Sequence, residues 1–219
     1  MIPALVLASN SPRRKELLAL GGQPFAVAAA AINEDPRPAE DPREYVQRLA
    51  SEKVQAAASI GGPDALVLAA DTTVVHNGRI VGKPQDAEEA RAMLNSLRGQ
   101  EHTVYTAISV LRTRDGMQVN DLATTPVPMR DYSDTEIETY VATGDPLDKA
   151  GAYAIQHAGF HPVAAMSGCL ANVVGLPLCH VKRTLMKLDL AFDADLPSAC
   201  QAHFAYDCPV TEDILAWRQ

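Results

Sequence analysis

Positive charge and aromatic side chains are both scarce in this sequence of 219 residues. Its 19 Lys and Arg are outnumbered by 27 Asp and Glu, which gives a net charge of −8, and aromatic residues make up 5% of the chain. A protein that coats nucleic acid needs the opposite balance, because it must neutralise phosphates across its contact surface. The composition therefore argues against a nucleic-acid partner.

Long apolar runs are absent as well. No segment approaches the ~20 consecutive apolar residues of a membrane-spanning helix, and the opening MIPALVLASN lacks the charged start and the cleavage site of a signal peptide. We therefore expect no membrane partner and a cytoplasmic location. With 47% hydrophobic and 21% charged residues, the composition is that of a globular protein with a sizeable core.

Cysteine is infrequent, and all four copies fall in the last quarter of the chain, as Cys169, Cys179, Cys200 and Cys208. A cytoplasmic location predicts that they are reduced thiols. Cys200, His203 and Cys208 could form part of a metal site. Their spacing matches no standard zinc pattern, so ordinary packing is the favoured interpretation.

Strand and helix patterns alternate along most of the chain. Ala65–Ala70 is a continuous apolar run, typical of a strand covered on both faces, and Asn77-Gly78 is a strong hairpin signal. Two longer strand patterns, at 102–112 and 117–129, flank Asp115-Gly116 and predict a second hairpin. Hairpins that occur among helical connections indicate a mixed sheet.

The end of the chain differs from the rest in character. After a helix predicted over 178–188, the residues are acidic with scattered aromatics and show little periodicity. We therefore divide the sequence into a domain of residues 1–188, with two closely packed lobes, and a C-terminal extension of residues 189–219 that lies on its surface.

The stretch SNSPRRK, residues 9–15, places three cations at the start of a predicted helix. Ser11 is a good N-cap, and Pro12 suits the first helical position. Cations are unfavourable there because the helix dipole is already positive at that end. Arg13 and Arg14 therefore indicate either a bound anion or a solvated basic turn. The sequence G-x-x-x-x-G-K-[ST] is missing from the chain, so this turn is not a Walker loop.

Other charged residues occur where the pattern predicts buried or rigid structure. Lys53 falls on the apolar face of its helix, and its ammonium either snorkels to water or enters a cleft. Asp71 ends a buried strand, where an unpaired carboxylate is costly and where open α/β sheets bind ligands. Lys83 lies in a rigid Gly-Lys-Pro turn. The lysines and the two arginines suit a polyphosphate, while Asp71 and Glu34 could hold Mg²⁺ or activate water.

Eight stretches of the chain occur in the order found in one protein family. They are LASNSPRRKELL, NEDP, EYVQRLASEKV, AADTTVV, GKP, GQEHTVYTAISV, DKAGAYAIQ and NVVGLPL. The chain resembles the Maf family of nucleoside triphosphate pyrophosphatases from Leu5 to Leu188. The resemblance implies an α/β fold, an elongated mixed β-sheet flanked by helices with a deep central cleft, related to inosine triphosphatase-like proteins. It also implies a nucleotide substrate cleaved between the α- and β-phosphates, a divalent metal (Mg²⁺ or Mn²⁺) and a homodimer.

The resemblance also implies a role for each candidate residue. Asp71 matches the proton acceptor that activates the attacking water. Glu34 matches an acidic residue that is its metal or water partner, so both carboxylates are candidate metal ligands. Phosphate contacts are implied for the side chains of the SPRR turn and the two lysines, which are Ser9, Ser11, Arg13, Arg14, Lys53 and Lys83.

Base specificity within the family is implied to depend on three positions, which here are Arg13, Thr72 and Gln156. This combination resembles the dTTP/UTP subgroup, whereas relatives that act on 7-methyl-GTP typically carry a tryptophan near the first arginine. Two alternatives stay open. One is a pyrophosphatase of the same fold that prefers a modified or purine nucleotide, and the other is a nucleotide-binding regulator of septum formation.

The sequence departs from the family pattern at three places. Asn33 and Asp35 flank Glu34 where the family has Asp-Glu-Thr, so Asp35 could replace the missing aspartate as a metal ligand. His157 stands where a glycine usually follows the glutamine, and this larger side chain would narrow the base pocket. No part of the 189–219 extension matches the family.

Overall fold

A mixed sheet of six strands forms the centre of the fold in a computed structural model, which describes residues 3–29, 31–192 and 194–216. The strands are β1 (Ala4–Leu7), β2 (Phe25–Val27), β3 (Ala65–His76), β4 (Arg79–Val81), β5 (Glu101–Arg112) and β6 (Met117–Pro128). Their order is β2-β1-β3-β5-β6, and β4 pairs with β3. β1 runs parallel to β2 and β3, while the other pairs are antiparallel. The prediction of a mixed α/β fold is confirmed.

Eight α-helices pack around this sheet in the described residues. They are α1 (Pro12–Ala19), α2 (Pro42–Gly61), α3 (Ala87–Leu97), α4 (Asp134–Ala142), α5 (Leu170–Val174), α6 (Leu178–Met186), α7 (Leu196–Phe204) and α8 (Thr211–Ala216). Several begin at polar caps, since the first N–H groups of a helix lack partners within it. Ser133 and Glu136 form both hydrogen bonds of a capping box at α4, and Asp41 caps α2 by accepting from the backbone N–H of Arg43 at 2.8 Å. None of these helices is both long and apolar enough to cross a membrane.

Strand β3 passes through two hydrophobic cores in succession. Leu68 and Ala70 belong to a core built with α1 and α6, whereas Val74 belongs to a second core built with α3 and α4. Asp71 and Thr72 lie between these two sets, so polar side chains occupy the strand where it leaves one core and enters the next. The same strand therefore supplies both apolar support and the polar residues of a site.

The sheet has a gap at this point. On one edge β3 pairs with β1 through residues 65–68 and with β4 through residues 74–76, while β5 occupies the other edge. Residues 69–73 consequently have no strand beside them on the first edge, among the residues that the structure describes. Because successive side chains of a strand point to opposite faces, groups from both faces can meet at such an opening. This gap is the central cleft of the fold.

The C-terminal extension is packed more closely than its sequence indicates. It contains α7 and α8, and Leu196 is fully buried in the core that also holds Leu17 and Leu185. The prediction of an aperiodic segment is therefore wrong, whereas most of the extension does lie on the surface, because only Leu196 and Pro197 are buried among its described residues. Leu196, Cys200 and Phe204 are spaced four residues apart, which gives α7 a short apolar stripe that is easily missed because it has only three members. A domain boundary after Leu188 stays a prediction.

Two buried histidines predict a loss of stability in mild acid. Burial lowers the pKa of His102 and of His180 to about 4, below the ~6.5 of an exposed histidine. Above the unfolded pKa both histidines are neutral in the folded and the unfolded chain, so they do not reduce the free energy of unfolding. Between about pH 6.5 and 4 only the unfolded chain takes up their protons, and the folded state loses stability as the pH falls. We expect the free energy of unfolding to fall by up to ~1.4 kcal/mol per pH unit for each histidine in this window.

Urea unfolding at about pH 7, 6 and 5 measures this effect, in a range where ordinary carboxylates stay ionised. A His180→Gln variant serves as a comparison, and its stability should depend on pH less steeply than that of the parent. A free energy of unfolding that stays constant from pH 7 to 5 would contradict the prediction.

Candidate active site

Arg14 is the most firmly held cation at the gap in the sheet. Its Nε donates to the carbonyl of Gly175 at 2.9 Å, its Nη2 to the hydroxyl of Thr72 at 3.1 Å and its Nη1 to the hydroxyl of Ser9 at 3.4 Å. A guanidinium has five N–H donors, so one on each terminal nitrogen is left over. This is the two-pronged arrangement that matches the oxygens of a phosphate.

A chain of hydrogen bonds behind Arg14 fixes its position. The hydroxyl of Thr106 donates to the carbonyl of Asn172 at 2.9 Å, so it must accept from the hydroxyl of Thr72, 2.9 Å away. Thr72 in turn accepts from Arg14. Asn172 is fully buried and anchors the chain by donating to the carbonyl of Val104 at 3.1 Å. The proton of the Thr72 hydroxyl is thereby used inside the protein.

Gly175 is required where it stands for two reasons. Its φ of +116° is a conformation that side chains disfavour. A Cβ at this position would also lie 3.2 Å from the Thr72 hydroxyl and 3.5 Å from Nε of Arg14. The glycine lets a backbone carbonyl approach the guanidinium closely, so a larger residue here would displace Arg14.

The serines of the same turn orient its backbone. The hydroxyl of Ser9, which is buried, accepts from the backbone N–H of Ser11 at 3.2 Å. Ser11 is the N-cap of α1, as predicted, and accepts from the backbone N–H of Arg14 at 3.4 Å. Both hydroxyls therefore hold the turn in shape, and Ser11 also lines the adjacent cavity.

Lys53 joins two carboxylates on the other face of β3. Its ammonium lies 2.5 Å from Oδ1 of Asp71 and 2.7 Å from Oε1 of Glu34. The Lys53 and Asp71 side chains are only 13% and 10% exposed, so Lys53 enters the cleft and does not snorkel to water. Buried ions need such pairing to offset the cost of leaving water. The other Asp71 oxygen, Oδ2, accepts no hydrogen bond from the described residues.

The electrostatic field of the cleft acts on Glu34. Partial burial alone would raise the pKa of this carboxyl, but the hydrogen bond from Lys53 and the charges of Lys53, Lys83 and Arg14 outweigh burial and lower it. Burial lowers the pKa of Arg14, against the opposing effect of Asp71. Groups on both faces of β3 thus influence one another through the gap.

A cavity of about 490 Å³ opens on the Arg14 side of the cleft. Arg13 and Lys83 line this cavity, and their side chains make no hydrogen bond or ion pair with the described residues. Thr72, Gln156 and His157 line it as well. The cavity is large enough for a small organic ligand. His157 is held at its wall, because its Nδ1 accepts from the backbone N–H of Phe160 at 3.0 Å.

Sequence reasoning missed four polar or charged residues that line this cavity, which are Asp145, Asp148, Lys149 and Tyr153. Lys149 donates to Asp145 at 2.9 Å and to Asp148 at 2.6 Å, and Tyr153 reaches the cavity from a buried position. All except Asp145 fall inside the DKAGAYAIQ stretch, which contributed to the family resemblance but gave these residues no predicted role. The motif was informative about the family, whereas the side chains that face the cavity depend on the backbone turn at 150–152.

Asp35 does not join the two carboxylates on Lys53. It is exposed, and its backbone N–H donates to the side chain of Asn33 at 2.9 Å in a local turn. No group of three or more acidic, histidine or cysteine side chains suited to a metal occurs within residues 3–29, 31–192 and 194–216. Glu34 and Asp71 therefore stand as a pair.

Comparison with known proteins agrees with the motifs. A family model for Maf-like protein matches residues 4–188. The dTTP/UTP pyrophosphatase of Anaeromyxobacter dehalogenans (strain 2CP-1) is 47% identical over 189 residues, which cover 85% of this chain and 95% of the relative. The dTTP/UTP pyrophosphatases of Citrifermentans bemidjiense and Yersinia pestis are 49% and 46% identical, over 81% and 83% of this chain and 92% and 91% of the relatives.

Among solved structures, the nucleoside-triphosphatase / dITP/XTP pyrophosphatase of Mycobacterium abscessus aligns with a TM-score of 0.43 at 15% identity, covering 84% of this chain and 94% of that one. The sequence relatives are far more similar than this structure. Because the family model spans most of the chain and the relatives are nearly half identical over more than four fifths of it, this chain belongs to the Maf family.

Proposed function

We propose that this protein is a nucleoside triphosphate pyrophosphatase that hydrolyses dTTP and UTP to the nucleoside monophosphate and pyrophosphate. One observation carries the proposal. A buried carboxylate, Asp71, is held by Lys53 at a gap in the sheet, and the next residue in the strand, Thr72, holds the guanidinium of Arg14. The names of the relatives, all dTTP/UTP pyrophosphatases, support the choice of substrate.

Phosphate binding explains the three cations at the start of α1. Arg14, with two N–H groups left over, lines the same cavity as the free cations Arg13 and Lys83. A triphosphate brings several negative charges, and these offset the unfavourable position of the arginines at the positive end of the helix dipole. The bound anion anticipated from the sequence is, in this proposal, the substrate itself.

Asp71 acts as the general base. Lys53 occupies Oδ1 and holds the carboxylate in place, while Oδ2 is left to accept a proton from a water molecule. The water attacks the α-phosphorus, the bond to the bridging oxygen breaks, and pyrophosphate leaves with the electron pair. Arg14 and Lys83 stabilise the negative charge that develops on the phosphate oxygens.

The donor set at Lys53 suits a divalent cation that is shared with the substrate. Mg²⁺ in nucleotide sites is commonly held by one or two carboxylates together with phosphate oxygens, and Glu34 and Asp71 supply two carboxylates. Mg²⁺ or Mn²⁺ bound there would neutralise phosphate charge and polarise the reacting groups. Glu34 is exposed and stays ionised because its pKa is lowered, so it can exchange Lys53 for a metal ion.

Base recognition falls to Gln156, because Thr72 has no proton to offer. The Thr72 hydroxyl donates to Thr106, so its role in this proposal is to position Arg14 and not to contact the base. The Gln156 amide is exposed at the wall of the cavity and has a donor and an acceptor. Those two groups match the O4 and N3–H edge that thymine and uracil share.

This assignment predicts that CTP is a poor substrate. Cytosine has an amino donor at position 4 and an unprotonated N3, so it reverses both hydrogen bonds to a Gln156 amide that keeps the orientation required by thymine and uracil. We expect kcat/KM for CTP to be about 10²-fold lower than for UTP, since mismatched polar groups are left unpaired. Gln156→Glu, which loses the amide donor, should reduce the UTP/CTP ratio more than it raises the KM for UTP.

A panel of nucleotides with Mg²⁺ or Mn²⁺, read out as released pyrophosphate, measures these ratios. Preference for 7-methyl-GTP or another purine would replace the pyrimidine assignment by a different specificity on the same site. Nucleotide binding without turnover across the panel would favour a regulator of septum formation. Formation of a homodimer, implied by the family, stays a prediction.

A further inference from the structure

The loop of residues 31–41 carries Glu34, and helix α2 holds it in place. Among the described residues, each hydrogen bond or ion pair that joins residues 33–37 to a residue outside the loop involves a side chain of α2. Those side chains are Tyr45, Arg48, Glu52 and Lys53. The loop contains no helix or strand of its own, so these contacts determine where Glu34 lies.

Tyr45 holds Glu34 by its backbone. The tyrosine hydroxyl donates to the carbonyl oxygen of Glu34 at 2.9 Å. Its ring packs on a small apolar cluster of Val46, Ala50 and Ala107, between α2 and β5, so the hydroxyl is presented from a fixed position. This hydrogen bond restrains the main chain at Glu34 and leaves both oxygens of its carboxylate available for other partners.

Arg48 holds the next carbonyl along the loop. Its Nη2 donates to the carbonyl oxygen of Asp35 at 3.2 Å. Its Nε and Nη2 also donate to the two carboxylate oxygens of Glu40 at 2.6 Å and 2.8 Å, and the side chains of this ion pair are only 13% and 6% exposed. The guanidinium lies over the Tyr45 ring, 5.6 Å from its centroid. The two-pronged pair with Glu40 fixes the orientation of the guanidinium toward Asp35.

We propose that Tyr45 and Arg48 are positioning residues for Glu34, which keep its carboxylate at the cleft when it leaves Lys53. This inference rests on the proposed function, in which Glu34 exchanges Lys53 for a divalent cation. In that exchange the ion pair with Lys53 is lost, whereas the two contacts to backbone carbonyls persist because they do not use the carboxylate. They therefore hold the loop in the state that binds the cation.

Neither positioning residue lines the nucleotide cavity. Tyr45 and Arg48 thus act through Glu34 and not through contact with the substrate. Their loss should raise the concentration of Mg²⁺ that the enzyme needs, since the free loop must be ordered before the carboxylate can bind the ion. The KM for UTP at saturating Mg²⁺ should change little, because the cations of the cavity are untouched.

Tyr45→Phe tests the first contact, because it removes the hydroxyl and keeps the ring. The metal-free protein is incubated with glutamyl endopeptidase, and mass spectrometry measures cleavage between Glu34 and Asp35. We expect this cleavage to be about 5-fold faster than in the parent, in line with the loss of one hydrogen bond. The concentration of Mg²⁺ for half-maximal UTP hydrolysis should rise by a similar factor, with kcat at saturating Mg²⁺ within about twofold.

Tyr105→Phe is the matched control. Tyr105 packs on the same apolar cluster, but its hydroxyl accepts from Arg43 at 3.4 Å and makes no contact with the loop. Cleavage after Glu34 and the Mg²⁺ requirement should therefore both stay at the parent values. Arg48→Lys provides a second variant that keeps the charge beside Glu40 but loses the fork, and it should change both readouts in the same direction as Tyr45→Phe.

Two results would overturn the positioning role. One is cleavage after Glu34 at the parent rate in both Tyr45→Phe and Arg48→Lys. The other is faster cleavage with an unchanged Mg²⁺ requirement, which would make the contacts merely structural. Failure of the proposed function would show differently. The unmodified chain would release no pyrophosphate, while faster cleavage in the variants would still establish that these side chains hold the loop.

Discussion

Replacement of Asp71 by asparagine is expected to lower kcat for UTP by about 10²–10⁴-fold, with a change of only a few-fold in KM. Asparagine keeps the size and polarity of the side chain but cannot take a proton from water. Arg13, Arg14 and Lys83 make no hydrogen bond with Asp71, so the cavity keeps these three cations and the substrate should still bind. Steady-state kinetics with pyrophosphate detection measures both constants.

Asp35→Asn is the matched control, since it makes the same chemical change next to Glu34. Asp35 is exposed and lies outside the carboxylate pair on Lys53, so its turnover should stay within a few-fold of the parent. An Asp71→Asn enzyme with near-normal turnover would defeat the assignment of the base. A large loss in Asp35→Asn instead would place the essential carboxylate in the loop around Glu34.

Arg14→Lys is expected to lower kcat/KM by about 10²–10³-fold, although the charge is retained. A lysine ammonium cannot donate to Gly175, Thr72 and Ser9 and still offer a two-pronged donor to a phosphate. The Thr72 hydroxyl would lose its donor, and the carbonyl of Gly175 would be left without a partner. The nucleotide kinetics of this variant test the anchored fork directly.

Arg13→Lys provides the comparison in the same turn. Because the side chain of Arg13 makes no hydrogen bond with the described residues, a lysine can supply the same charge, and the loss should be only a few-fold. Thermal unfolding of both variants separates a catalytic effect from a folding defect. A larger loss for Arg13→Lys than for Arg14→Lys would reverse the roles proposed for the two arginines.

Local features of the fold were determined by the sequence alone. The cap at Ser11 and the turn at Asn77-Gly78 depend on residues that are close in the chain, and these contacts form as predicted. The continuous apolar run before Asp71 correctly indicated a strand buried on both faces. Eight ordered motifs also identified the family, because they follow one another along the same part of the chain that the family model matches.

Contacts between distant segments could be decided only by the tertiary structure. Arg14 and Gly175 are 161 positions apart, and nothing in either local pattern specifies their hydrogen bond. Lys53 could snorkel or enter a cleft, and the packing of α2 on β3 selected the second. The gap beside Asp71 arises because two different strands each cover only part of one edge of β3.

The cysteines illustrate the same division. Their number, and their location in the last quarter of the chain, are evident from the sequence. All four nevertheless line one cavity, an arrangement that depends on α7 folding back onto α6, which three apolar side chains spaced four residues apart make favourable. Side-chain periodicity can specify a helix and its apolar face, because those depend on near neighbours. The surface that the face covers is selected by the packing of the whole chain, and only the folded structure contains that information.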